Sequence, residues 1–473
     1  MELFSFLDIA ILVIGFYMAW NIGANDVSNA MGTSVGSGAL TMRNAVIIAA
    51  ILEFSGAFFL GANVTETIQS SLIDTTQLMG DPTTLVIGMC GALLAASLWL
   101  QFASYFGLPV STTHAIIGAM LGFGGLMGGM QGIYWDEVGS IALSWILSPI
   151  FSGIVAYFLF SLLQKKILFA MNPTMATRRF LPYLIGVVFG TFTLSLLFNG
   201  LGSLSIDFTF PQTLLISLLV TVFATLISLF IVRRTPEPAS ALATVAHLPH
   251  TLISIDKAIK HLRRVRAASD EGSKDEISRL LNEMQVLAKQ MREKTDFSAR
   301  TSEYAVVEKW FGSLQIISAC FVAFAHGAND VANAIGPVAV VISTLSHGAV
   351  QASSPIPVWL LAFGGVGIVI GLATWGWRVI ETIGKKITEL TPTRGFCAEF
   401  GAALSILIAS KLGMPISTTH CLVGAVLGVG MARGIRALNL GTLKDIILSW
   451  IITIPASALM SILCYYLLKA IFT

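Results

Sequence analysis

Residues 23–30 read Gly23-Ala24-Asn25-Asp26-Val27-Ser28-Asn29-Ala30, and residues 327–334 read Gly327-Ala328-Asn329-Asp330-Val331-Ala332-Asn333-Ala334. A second matched pair follows. Gly107-Leu108-Pro109-Val110-Ser111-Thr112-Thr113-His114 recurs as Gly413-Met414-Pro415-Ile416-Ser417-Thr418-Thr419-His420. Leu143-Ser144-Trp145 recurs as Leu448-Ser449-Trp450. The offsets are 304, 306 and 305 residues, so one unit is present twice and keeps its register throughout.

The repeated unit lies in lipid. Of 473 residues, 55% are hydrophobic and 11% charged, against about 25% charged in soluble chains. Apolar segments fall near 8–30, 44–62, 84–105, 112–130, 141–163, 181–199, 211–232, 311–345, 358–378, 396–411, 418–433 and 446–470. Many run to about 20 residues, enough to cross roughly 30 Å of hydrocarbon as a helix, and they lack the alternation of barrel strands. The fold class is therefore all-α and polytopic, with about twelve transmembrane helices. The first segment has no basic leader region or small-residue cleavage site, so it reads as a retained membrane helix. A net charge of +2 gives no reason to expect nucleic acid, and the five cysteines sit in apolar stretches without metal or disulfide spacing.

Between Arg233 and Lys309 the chain holds 14 of its 28 Lys and Arg. Leu280, Met284, Leu287 and Met291 there have helical spacing, which predicts amphipathic helices in a charged loop. Four regions result: repeat 1 over 1–165, a two-helix hairpin over 166–232, the charged helical loop over 233–309, and repeat 2 over 310–473. Lys165, Lys166, Arg178 and Arg179, like Arg233 and Arg234, belong in the cytoplasm by the positive-inside rule. Five segments precede Lys165 and five follow Lys309, and an odd number reverses the sense of insertion. The copies are thus inverted repeats, both termini are expected outside a plasma (inner) membrane, and the binding site is expected at the midplane between the copies.

Asp26 and Asp330 lie inside apolar segments, where a charge costs several kcal/mol unless paired, hydrated or functional. Asn25, Asn29, Asn329 and Asn333 flank them with amide oxygens, and the adjacent glycines are expected to let the helix unwind and bare its carbonyls. Such an oxygen set suits a hard cation such as sodium. Packing hydrogen bonds between helices are the plainer explanation, but duplication at matched positions argues against it. In the second motif Pro109 and Pro415 break the chain, and Ser111 and Ser417 are natural N-caps for helices that begin Thr112-Thr113 and Thr418-Thr419. Helix N-termini with added hydroxyls suit a tetrahedral oxyanion, phosphate or sulfate, without a tightly holding Arg. Two further intramembrane acids, Glu53 and Glu399, occupy non-equivalent positions and are expected to support coupling or substrate protonation. His114 and His420 either sense the anion's protonation or bond to backbone.

At these residues the chain resembles the inorganic phosphate transporter (PiT) family, over nearly its whole length apart from the central loop. The resemblance implies a twelve-helix symporter of phosphate with a cation, and not an enzyme. It assigns cation roles to Asn25, Asp26, Asn329 and Asp330, and phosphate roles to Ser111, Thr112, Thr113, Ser417, Thr418 and Thr419. It also implies that Glu53 and Glu399 are needed for transport. The run Ala325-His326-Gly327 into Pro337 is similar to the sodium-coupled branch. The implied partners are phosphate, co-transported sodium at Asp26 and Asp330, and the lipid bilayer, with no other cofactor. Whether the protein works as a homo-oligomer is left open. Alternatives on the same scaffold are a proton-coupled phosphate, metal-phosphate or sulfate permease, then an anion channel. An enzyme ranks lowest, since no nucleotide motif, HExxH or nucleophile–base arrangement is present.

Overall fold

The computed structural model describes residues 2–70, 81–198, 208–234, 248–268, 271–298, 303–348, 356–380, 389–411, 414, 416–434 and 438–472. Repeat 1 supplies α1 (Glu2–Gly36), α2 (Met42–Ser70), α3 (Pro82–Tyr105), α4 (Thr112–Gly128) and α5 (Trp135–Leu163). The hairpin is α6 (Pro173–Phe198) and α7 (Phe210–Arg234), and the charged loop folds as α8 (Leu248–Ala268) and α9 (Glu271–Ser298). Repeat 2 is α10 (Glu303–His347), α11 (Val358–Trp375), α12 (Pro392–Lys411), α13 (Thr418–Arg433) and α14 (Leu440–Phe472). Among the described residues, ten helices are long and apolar enough to cross a membrane. They match ten of the twelve expected segments. The other two are α12, which carries Arg394 and Glu399, and α13, only 16 residues long.

The chain forms two compact units: Met1–Phe160 with Val187–Thr221 and Gly312–Thr473, and Ser161–Gly186 with Val222–Phe311. In the first, each copy packs on the other. A Cβ built on Gly23 would lie 1.9 Å from the Ile368 carbonyl oxygen, and one on Gly327 would lie 2.1 Å from the Glu53 oxygen. Likewise Gly371 abuts Trp20 at 1.8 Å and Gly56 abuts Phe324 at 2.0 Å. The α1–α11 contact therefore recurs as α10–α2, backbone against backbone, with glycines because only they admit the approach. The same exchange holds for the later helices: Gly118 of α4 meets Ile454 of α14, and Gly424 of α13 meets Pro149 of α5.

One expectation fails. The Asn-Asp motifs do not unwind their helices: α1 and α10 run unbroken through residues 23–30 and 327–334. Their glycines serve interhelix approach, and the carbonyls stay in the helix ladder. The break occurs at the second motif. Helix α3 ends at Tyr105, Gly107 adopts a φ of +66°, and Leu108–Val110 lie outside any helix before Ser111 caps α4. In the other copy Met414, Ile416 and Ser417 lead into α13, while Gly413 and Pro415 lie outside the described residues.

In the second unit α8 and α9 pack as an amphipathic pair through Ile255, Ile259, Ala288 and Met284. The expected α9 stripe is out of phase. Met284 is half-buried, but Leu280 and Leu287 are exposed and Leu281 and Ala288 are buried instead. The Met291 side chain and the segments 199–207 and 235–247 lie outside the described residues.

Candidate functional site

The two Asp helices and the two hydroxyl-led helix ends meet in the first unit. Asn25, Asp26, Asn29, Asn329, Asp330, Asn333 and the six hydroxyl residues are each at most 3% exposed. Ser111 and Ser417 cap their helices as expected, accepting from the backbone N–H of His114 and His420 at 3.2 Å each. The capped ends interlock: Thr113 donates to the Ile416 carbonyl at 3.1 Å, and Thr419 donates to the Val110 carbonyl at 3.3 Å.

The second Asn of each Asp motif reaches the hydroxyl motif of the opposite copy. Asn29 donates to Thr419 at 2.8 Å and Thr418 at 3.4 Å, and Asn333 donates to Thr112 at 3.3 Å and Thr113 at 3.4 Å. The carboxylates join the same lattice. Asn29 donates to Asp26 Oδ1 at 3.0 Å, Thr419 to the same oxygen at 3.4 Å, and Thr418 to Asp330 Oδ2 at 3.3 Å. Asn329 donates to its neighbour Asp330 at 2.8 Å, whereas Asn25 turns its amide nitrogen to Ser104 at 2.9 Å. Four buried oxygens, Asn25 Oδ1, Asp26 Oδ2, Asn29 Oδ1 and Asn329 Oδ1, accept no hydrogen bond from the protein. Buried oxygens without donors are rare in a folded interior, and a hard cation satisfies them.

The twofold relation breaks at two places. His326 lies between acids: Nε2 is 2.7 Å from Asp330 Oδ2 and 3.9 Å from Asp26 Oδ2, and Nδ1 is 3.5 Å from Glu53 Oε1. The positions equivalent to His326 and Glu53, by the matched glycine contacts, are Ile22 and Ile368, both buried. Sequence reasoning quoted His326 but gave it no role. A histidine four residues before an intramembrane Asp, absent from the other copy, was the signal available. Asp26, His326 and Asp330 present ligand atoms all within 4.8 Å of one another.

Glu399 stands apart from that cluster, in a cage of donors. Thr33 and Ser34 of α1 donate to its Oε1 at 2.6 and 2.7 Å, Gln315 of α10 at 3.0 Å, and Ser318 donates to Oε2. The equivalent positions, Leu93, Pro337, Val338, Ile11 and Ile14, are all apolar. Among the described residues no Lys or Arg is recorded pairing with Glu53 or Glu399. His420 Nδ1 lies 3.2 Å from the Trp145 carbonyl, its ring stacked on Trp450 at 3.6 Å and 4.5 Å from the His114 ring. The backbone-bonded alternative holds for His420.

With this geometry in place, the comparisons decide the family. Residues 22–461 match the Phosphate transporter family. The chain belongs to that family. It is 46% identical over 466 residues to a Chlamydia pneumoniae protein that carries the name phosphate permease, covering 98% of this chain and 99% of that one. It is 43% identical to the chloroplastic inorganic phosphate transporter 2-1 of Arabidopsis thaliana, across 97% of this chain and 71% of the relative. Among solved structures it resembles a sodium-dependent phosphate transporter, with a TM-score of 0.79, 35% identity, and coverage of 98% of this chain and 99% of the other. This is a multi-pass membrane transporter of the phosphate family.

Proposed function

We propose that the transporter is a sodium–phosphate symporter working by alternating access, with sodium at the Asn25–Asp26 and Asn329–Asp330 motifs and phosphate between Ser111–Thr113 and Ser417–Thr419. The observation that carries this reading is the shared lattice in which Asn29 donates to Thr419, Thr419 donates to Asp26, and Asn333 donates to Thr112 and Thr113. Asp26, Asp330 and Glu53 surround a single imidazole, three acids to one base beside the oxyanion's proposed seat. Phosphate alone meets repulsion there. Sodium at the carboxylates removes it and adds attraction, and each ligand then raises the affinity for the other by the same factor. The solved relative is named for sodium-dependent phosphate transport, which supports the choice of ion.

All candidate ligands are buried, as an occluded intermediate requires, and opening means parting one set of cross-copy contacts at a time. On this reading no step is enzymatic, sodium is cargo rather than a resident cofactor, and residues 233–309 face the cytoplasm of a plasma membrane with both termini outside. The trio Asp26, His326 and Asp330 favours a second reading, in which a divalent cation accompanies phosphate.

Phosphate uptake into proteoliposomes under an inward sodium gradient, against an equal potassium gradient at fixed pH, tests the proposal. Accumulation above equilibrium only with sodium supports it. Uptake that ignores sodium but follows a pH gradient or added divalent cation sinks it.

A further inference from the structure

We infer that the exposed face of α8 is a docking surface for anionic lipid headgroups. This rests on the membrane orientation proposed above and concerns residues outside the transport site. Helix α8 buries Ile255 and Ile259 against α9, where Ala288 and Met284 complete a small core. On its other side Lys257, Lys260, His261 and Arg264 are all exposed. At about 100° per residue these four fall within an arc of about 100°.

The charge on α8 is one-sided. The helix carries Lys257, Lys260, Arg263, Arg264 and Arg266 against the single acid Asp256. Its partner α9 is mixed, with six acids and five bases between Glu271 and Ser298, as a solvated helix usually is. Lys257–Lys260, Lys260–Arg263 and Lys260–Arg264 are like-charge neighbours at helical spacing, which weaken a helix standing alone in water. An opposing anionic surface turns that repulsion into attraction.

Three occupants have that charge: an acidic protein, a soluble polyanion, and a bilayer carrying anionic lipid. The compact unit that contains α8 favours the bilayer. That unit also contains the end of α5, the first half of α6, the last half of α7 and the start of α10, with Lys165, Lys166, Arg178, Arg179, Arg233 and Arg234 among them. Arg178 donates to the Val232 carbonyl at 2.8 Å and Tyr304 to the Leu168 carbonyl at 2.8 Å, which ties those ends together. Helix α8 therefore belongs to a body that, besides α9, holds one half each of the membrane helices α6 and α7 with their basic ends, and in the orientation proposed above those ends face the anionic headgroups. Each Lys or Arg near such a surface adds roughly a fivefold preference for anionic over zwitterionic lipid.

The test uses the full chain in nanodiscs of phosphatidylcholine, with and without phosphatidylglycerol. An environment-sensitive dye is placed at Ser254→Cys, an exposed position bordering the basic stripe, the native cysteines being buried or half-buried. The expected result is a blue shift only with phosphatidylglycerol, reversed by about 0.5 M salt, which shortens screening to a few ångströms. Lys257→Gln/Lys260→Gln/Arg264→Gln should lower the preference on the order of 100-fold, and Lys257→Arg/Lys260→Arg should retain it. The same shift in both lipids, or one unaffected by the triple substitution, overturns the inference. So does an equal shift when inorganic phosphate or polyphosphate is added to phosphatidylcholine discs, since the surface then takes a soluble anion. Failure of sodium-driven uptake leaves all these readouts unchanged, so the two proposals fail separately.

Discussion

Asn29 donates to the Thr419 hydroxyl at 2.8 Å across 390 residues of sequence, and the same amide nitrogen reaches Asp26 Oδ1 at 3.0 Å. One nitrogen thus joins a candidate cation ligand to a candidate anion ligand. Asn29→Ala should raise the half-saturating concentrations of both sodium and phosphate roughly tenfold, the effect of losing one buried hydrogen bond to a charged group. Asn333→Ala should behave alike, through Thr112 and Thr113. Uptake titrated against each ligand separately decides the matter. A variant that moves only one of the two refutes the link.

Asp26→Asn removes a carboxylate but keeps its size and one acceptor oxygen. The proposed role predicts a correctly folded protein whose uptake no longer responds to sodium, with a loss of at least about 100-fold in rate. Normal sodium-driven uptake by that variant would eliminate the cation assignment.

His326 and Glu53 occupy the positions held by Ile22 and Ile368 on the other side of the molecule. Breaking a buried polar pair costs about 3–5 kcal/mol when one partner is left behind, whereas replacing both by apolar groups is often neutral. Asp330 loses its imidazole whenever His326 is replaced, but Glu53 is left behind only in the single His326→Ile, so His326→Ile should cost less when added to Glu53→Ile than when made alone. Uptake should remain abolished in all three. Thermal melting in detergent provides the check, and strictly additive losses would contradict the equivalence.

Glu399 accepts from four side chains on two other helices. Glu399→Ala leaves those donors unmatched, at about 1 kcal/mol or more each, so its melting temperature should fall further than that of Ser318→Ala. Equal melting would show that the cage contributes little to holding α1, α10 and α12 together.

Gly23→Ala and Gly327→Ala should prevent accumulation of folded protein, because each places a methyl within 2.1 Å of a backbone oxygen on a neighbouring helix. Gly139→Ala, with open space around it, should be neutral. Size-exclusion profiles of the expressed variants compare them directly.

Much of this was legible in sequence because duplication marks the same residues twice. The Asp motifs, the Ser caps and the helical repeat units follow from spacing and from the cost of intramembrane charge. What was hidden depends on contacts between distant helices. Nothing local shows that Gly23 faces Ile368, so its glycines were expected to loosen α1 when in fact they let α11 approach. The partners of Glu399 are Thr33, Ser34, Gln315 and Ser318, ordinary polar residues that no periodicity singles out. In α9 the leucines at 280 and 287 shared a period with the buried stripe but not its phase, since Ile255 and Ile259 of α8 pack on Ala288 and Met284 and leave both leucines outside.

The exchange of helix partners between the copies has a consequence for biogenesis. While the ribosome is still making the second half, Gly23 has no α11 to lie against, and Asp26 sits in the bilayer without Thr419. A nascent first half is thus an incomplete protein in which Asp26 keeps Asn29 but lacks its partners from the second copy. A fragment ending at Arg234 should be rapidly degraded when made alone and rescued when the remainder is co-expressed; a stable solitary fragment would contradict this. The two halves are obliged to mature as one event, late in synthesis, and quality-control proteases have until then to act.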